Sequence, residues 1–183
     1  MFALDIVVVV AILVVGLSIA WSTARVGISP TPSSGKARDV MIKLMADTGT
    51  GPVYDLGSGW GGLLIRLAKK YPERKIVGYE VSLVPWLVSV CFKKILGLPN
   101  LEIYRRNFLQ ADLSGADVLV CFLHTDGMRQ LAQKLAAEED FNGFLISNYF
   151  ALPSCQPEVS MRVNDLYQSP IYCYRLGELQ RAT

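Results

Sequence analysis

Apolar side chains open this chain as one long block and then recur in short runs and helical spacings. Phe2 to Trp21 reads FALDIVVVVAILVVGLSIAW, with Asp5 as its one charge. About twenty residues at ~1.5 Å rise give a helix about 30 Å long, enough to cross the hydrocarbon layer of a bilayer. Val and Ile would suit a buried strand, but the run is several times a strand's length. A retained transmembrane anchor over residues 1–24 is therefore expected. The alternative is a cleaved signal peptide, for which Ser22-Thr23-Ala24 offers small residues. No Lys or Arg precedes the run, however, and it exceeds the roughly 7 to 15 apolar residues of such a signal. Gly27-Ile28-Ser29-Pro30-Thr31-Pro32-Ser33-Ser34-Gly35 is too rich in Pro, Gly and Ser to continue a helix, so residues 25–37 are expected to form a linker.

Residues 38–183 read as one domain in which strands and helices alternate. Val40, Met41, Leu44 and Met45 recur at helical spacing. Val53 to Leu56 is a short strand that ends in glycines, and Leu63, Leu64, Leu67 and Ala68 mark the inward face of the helix after it. Further strands are expected at Lys75 to Glu80, Leu101 to Tyr104, Asp117 to Phe122 and Phe144 to Ser147, with a helix through Met128, Leu131, Leu135 and Ala136. Ser160 to Leu176 reads as two final strands around Gln168-Ser169-Pro170. The run Val118 to Phe122 is apolar throughout, as a parallel strand covered on both faces requires. The pattern as a whole predicts an α/β sandwich with a largely parallel sheet.

Charge and cysteine content narrow the partners. With 18 basic and 16 acidic side chains the formal charge is +2, too balanced for the basic footprint of a nucleic-acid binder, so no nucleic-acid partner is expected. Cys91, Cys121, Cys155 and Cys173 are scattered singly and His124 is the one histidine, a set that argues against structural zinc and fits a reducing compartment. Arg25, Lys36 and Arg38 follow the apolar block while only the α-amino group precedes it. By the positive-inside bias this is a single-pass membrane protein whose following domain faces the cytoplasm. Its oligomeric state is not legible.

The chemistry concentrates at Asp55-Leu56-Gly57-Ser58-Gly59-Trp60-Gly61-Gly62. Glycines between a strand and a helix let the backbone turn sharply and approach a ligand, and free N–H groups there meet polar ligand atoms. Glu80 ends the next strand about twenty residues on, where a carboxylate binds ribose hydroxyls. Gly57, Gly59 and Gly62 also satisfy the dinucleotide pattern G-x-G-x-x-G, which would allow an NAD-dependent oxidoreductase. Asp55 discriminates, because a carboxylate beside a pyrophosphate is repelled, whereas S-adenosylmethionine carries an ammonium and a sulfonium. Asp55 has a second reading as a cap of the turn. The expected cofactor contacts are Asp55, Gly57, Ser58, Gly59, Gly61, Glu80, Asn107 and Phe108, the last two where an adenine would lie. Asp112 is a second candidate there, and Asn107 reads equally as a turn residue. No metal is expected.

These motifs make the chain resemble the membrane-anchored seven-β-strand (class I) protein lysine methyltransferases, a family that includes the enzymes acting on ATP synthase subunit c and the adenine nucleotide translocase, with bacterial relatives. The likeness runs from Pro30-Thr31-Pro32 to about Tyr174. It rests on Val53 to Gly59, on Gly78-Tyr79-Glu80 leading into Pro85-Trp86-Leu87-Val88, on Asp117 to Phe122, on Met128 to Leu135 with Lys134, and on Phe150-Ala151-Leu152-Pro153. It implies a Rossmann-like S-adenosylmethionine-dependent sandwich preceded by one transmembrane helix, with a lysine on a membrane protein as acceptor. Trp60 and Gly62 depart from the family, which carries an acid and an arginine there, and Leu123-His124-Thr125 replaces a Gly-Val-Pro-like turn. A small-molecule, lipid or quinone methyltransferase at the membrane, and a catalytically degenerate scaffold, stay open as alternatives.

Methyl transfer to an amine is a direct displacement, so alignment is the main requirement. A lysine with pKa about 10.4 must also expose its lone pair, at a cost of about 4 to 5 kcal/mol at neutral pH unless the site desolvates it. Trp60, Trp86, Tyr149 and Phe150 are candidate aromatic walls, each with a second reading as core filler. Tyr149 and Phe150 lie near the expected acceptor entrance. His124 is the candidate general base, although a lone loop histidine is more often incidental.

Overall fold

The computed structural model describes residues 5–7, 9, 16, 33–137, 141–165 and 167–177. The expected anchor over residues 1–24 lies outside the described residues except for residues 5–7, 9 and 16, which are helical. Among the described residues no helix is long and apolar enough to cross a membrane.

Helix α1 spans Gly35–Leu44 and passes into a 3₁₀ turn at Met45–Asp47. It starts before Arg38, inside the stretch expected to be linker, because Ser34 caps it: the serine Oγ accepts from the Ala37 N–H at 3.1 Å. The strands are β1 (Val53–Leu56), β2 (Ile76–Tyr79), β3 (Leu101–Tyr104), β4 (Val118–Cys121), β5 (Phe144–Asn148), β6 (Val159–Arg162) and β7 (Pro170–Arg175). Helices α2 (Gly62–Lys70), α3 (Leu83–Ile95) and α4 (Thr125–Ala137) connect the parallel strands.

The seven strands form one sheet in the order β3-β2-β1-β4-β5-β7-β6. β1 to β5 run parallel, and β7 is antiparallel to both its neighbours. The alternation of short apolar runs with amphipathic helices thus yields the expected sandwich, with the two tail strands as an antiparallel pair. Every residue of β4 is buried, as a strand covered on both faces demands. One face of the sheet is covered by Ala37, Met41 and Ile42 of α1 and by Leu63, Leu64, Leu67 and Ala68 of α2. The other is covered by Met128, Leu131 and Leu135 of α4.

Helix α3 is not among the elements the pattern predicts. It is apolar nearly all round, and only its Pro85 and Ser89 are buried. Leu83, Leu87, Phe92 and Ile95 stay exposed, followed by Leu96. Leu83, Leu87, Cys91 and Ile95 recur every four residues and so share one face of the helix.

Because β2 and β3 lie to one side of β1 while β4 and β5 lie to the other, the connections diverge between β1 and β4. Such a divergence opens a crevice at the carboxyl ends of those two strands. Asp55 is paired there with Gly78 on β2 and Val120 on β4.

Candidate active site

The turn after β1 is pinned by the strand beside it. The N–H groups of Gly57 and Ser58 donate to the Tyr79 carbonyl at 3.0 and 2.9 Å. Gly57 and Gly59 have φ of 87° and 54°, backbone that side chains seldom adopt. Glu80, buried just beyond β2, ties the loops together: Oε2 accepts from the Gly59 N–H at 2.8 Å and Oε1 from the Ser82 N–H at 2.7 Å. Each carboxylate oxygen has a second lone pair left for a ligand hydroxyl.

These groups line a cavity of about 570 Å³, inside the ~300 to 1,000 Å³ range of small-molecule sites. Asp55, Gly57, Ser58, Gly59, Glu80, Asn107 and Phe108 all face it. Gly61 does not. Its φ is 76°, and a Cβ there would come within 2.8 Å of Ser89 Oγ, so this glycine serves the close contact between the start of α2 and α3. Asp112 is exposed and accepts from the Ser114 N–H and Oγ at 2.9 and 2.7 Å, which makes it a turn residue away from the cavity. Asn107 holds a turn through the Leu109 N–H at 3.0 Å and faces the cavity as well.

Asp55 is 4% exposed, and its carboxyl accepts no hydrogen bond from the described residues, so it is not the cap of the turn. Burial, and then the nearby Glu80 carboxylate, push it from 3.8 up to about 8. An acid held this way is stabilised in its charged form by a cation placed beside it. Ser58 and Arg38 also line the cavity, while their Oγ and Nε atoms are buried without a hydrogen-bond partner among the described residues.

The far wall comes from the ends of β4 and β5. Phe122, Leu123, His124, Asp126 and Phe150 line it. Phe150 is the hub of its aromatics, with ring centroids 6.4 Å from Phe122, 5.4 Å from His124 and 5.0 Å from Tyr149. Tyr149 itself takes φ 70°, is 46% exposed and packs on Phe150 without lining the cavity. Trp60 lines the cavity, but Trp86 does not: its Nε1 donates to the Ile103 carbonyl at 3.1 Å, fastening α3 to β3. Of the candidate aromatic walls, Trp60 and Phe150 therefore line the cavity, and Phe122 lines it beside Phe150. Cys121, buried beneath it, is pushed up to about 12 by burial and is no nucleophile at neutral pH.

Sequence reasoning missed Ser33, Arg38 and Met41, which reach the cavity from the N-terminal segment, and Arg106, which reaches it from beyond β3. No local motif marks them; only the packing of α1 against β5 and β7 brings Arg38 to the glycine turn.

This strand order, with an acid at the tip of β1, a glycine turn and a second acid beyond β2, defines a class I methyltransferase. Residues 55–159, more than half of the chain, match the ANTKMT methyltransferase domain family, and the chain belongs to it. It is a methyltransferase, and S-adenosylmethionine is its methyl donor. A protein-lysine N-methyltransferase from Saccharolobus islandicus (strain REY15A) is 29% identical over 153 residues, which span 81% of this chain and 92% of the relative. An RNA methyltransferase from Salinibacter ruber, solved with S-adenosyl-L-homocysteine, superposes with a TM-score of 0.71 at 24% identity, over 81% of this chain and 95% of that one. Coclaurine N-methyltransferase, solved with N-methylheliamine and S-adenosyl-L-homocysteine, gives 0.53 at 17% identity, over 61% of this chain and 34% of that one. These two likenesses bear on the fold alone.

Proposed function

We propose that the chain is a protein-lysine N-methyltransferase that acts on a membrane protein. The observation that carries the lysine acceptor is the likeness to a protein-lysine N-methyltransferase over 92% of that relative's length. When bound, S-adenosylmethionine supplies a methyl group activated by its sulfonium. The residues of the chain then have three tasks. Asp55 and Glu80 hold the donor by its charged and hydroxyl groups, Asn107 and Phe108 receive the base, and Gly57 to Gly59 bring the backbone close. Trp60, Phe122 and Phe150 exclude water from the acceptor amine, which lowers the cost of its neutral form. Alignment and desolvation suffice for the displacement, and His124, exposed at the rim, is not required as a base.

The membrane setting rests on the apolar block of residues 2–21, which reads as an anchor with the catalytic domain on the cytoplasmic side. The exposed apolar row of Leu83, Leu87 and Ile95, with Lys93 and Lys94 beside it, agrees with work next to a bilayer. A tether would raise the effective concentration of membrane-embedded acceptors. The test uses the full chain, labelled S-adenosylmethionine and membranes from a strain lacking the enzyme. Label recovered as methyl-lysine from a membrane-protein band is expected. Label recovered in the lipid extract would replace this reading with the lipid or quinone alternative, and a cofactor-binding protein that labels nothing would favour the scaffold.

A further inference from the structure

The cavity lies across the carboxyl ends of the parallel strands, and each strand end contributes different groups to it. Asn107 and Phe108 follow β3 on one flank of the sheet, then Glu80 at β2 and Asp55 at β1 line the middle. Helix α1, which packs against β5 and β7, contributes Arg38 from its first turns to the lining. A donor with its base toward β3 would extend its amino-acid portion toward Arg38.

Arg38 is built into that place. Gly62, at the start of α2, carries no side chain, and a Cβ there would overlap Arg38 Nη1. The guanidinium thus occupies the room that a side chain at position 62 would fill. Its Nε is buried with no hydrogen-bond partner among the described residues. The adjacent acid is engaged elsewhere, since Asp39 pairs with Arg66 at 2.6 Å, and Arg38 has no ion pair among the described residues. Burial, and then the neighbouring Arg66, make its charge harder to keep, as expected of a cation waiting for an anion. The other cavity arginine, Arg106, donates to the Gln110 carbonyl and lies at the β3 end.

We propose that Arg38 is the carboxylate-binding residue for the amino-acid end of the methyl donor, in a subsite left open by Gly62. The ligand's ammonium then pairs with Asp55 and its carboxylate with Arg38, so the two ends of a zwitterion meet opposite charges. This rests on the S-adenosylmethionine reading of the cavity. A guanidinium presents parallel N–H donors that match a carboxylate in a way an ammonium cannot.

The test compares two ligands by calorimetry on the full chain. S-adenosylhomocysteine carries the amino-acid carboxylate, and 5′-deoxy-5′-methylthioadenosine has the same nucleoside and thioether without it. Arg38→Ala should weaken S-adenosylhomocysteine about 10- to 100-fold and leave methylthioadenosine unchanged. Gly62→Ala, which pushes the guanidinium aside, should produce the same selective loss, and Arg38→Lys should recover part of the affinity. Undiminished S-adenosylhomocysteine binding in Arg38→Ala would overturn the proposal. So would an equal loss for both ligands, which would give Arg38 a role in holding the pocket together. Should the unmodified chain bind neither nucleoside, the cofactor reading itself fails and the subsite with it.

Discussion

Replacing Asp55 with asparagine should make the apoprotein more stable and a worse binder. The side chain is nearly isosteric, so the change acts on charge. The folded acid is pushed up to about 8 by burial and by Glu80, against 3.8 when unperturbed. The folded state therefore binds a proton that the unfolded state releases. The resulting loss of stability begins above the unfolded value and grows with pH until it levels off near pH 8. At pH 7 the ceiling is about 4 kcal/mol, at ~1.36 kcal/mol per pKa unit. The Asp55→Asn variant would escape that penalty but bury an amide where the Asp55 carboxyl has no hydrogen-bond partner among the described residues, costing about 1 to 3 kcal/mol. A net gain of about 1 to 3 kcal/mol corresponds to a midpoint raised by roughly 3 to 10 °C in a chain of this size. Thermal denaturation by circular dichroism at pH 5 and pH 8 should show a larger gain at pH 8. Titration with S-adenosylhomocysteine should show affinity reduced about 10- to 100-fold through loss of a charge-assisted bond. A variant no more stable at pH 8 than the parent, or one that keeps its affinity, would refute the electrostatic reasoning.

Two further outcomes follow from the same geometry. Gly61→Ala should lower stability by about 1 to 3 kcal/mol, because a side chain must adopt positive φ and meet Ser89; chemical denaturation measures it, and an unchanged midpoint would show that α2 and α3 can separate freely. His124→Ala should keep most of its turnover with membrane acceptors, whereas near-complete loss with cofactor affinity intact would make this rim histidine a base.

What was legible in the sequence was what local physics writes there. β2 and β4 appear as short apolar runs because they are buried along their whole length, and the glycine turn with Asp55 and then Glu80 appears because two successive strand ends carry it. α3 was illegible because Leu83, Leu87 and Ile95 face outward while Ser89 faces in, the reverse of the amphipathic rule. Gly61 shared a motif with cavity glycines yet answers to Ser89, a contact set by helix packing. Tyr149 and Phe150 are adjacent, but a positive φ at Tyr149 sends one side chain outward while the other lines the cavity. Arg38 could be placed only by topology, since nothing near it in sequence marks a ligand.

The central claim is that a buried, proton-holding acid at the tip of β1 receives the positive end of the donor. Its most direct measurement is the number of protons exchanged when S-adenosylhomocysteine binds, obtained by calorimetry at pH 7 in buffers of different ionisation enthalpy. With Asp55 at about 8, roughly nine-tenths of molecules hold the proton at pH 7 and should surrender it, releasing about 0.9 proton per ligand bound. Binding with no proton released would contradict the account.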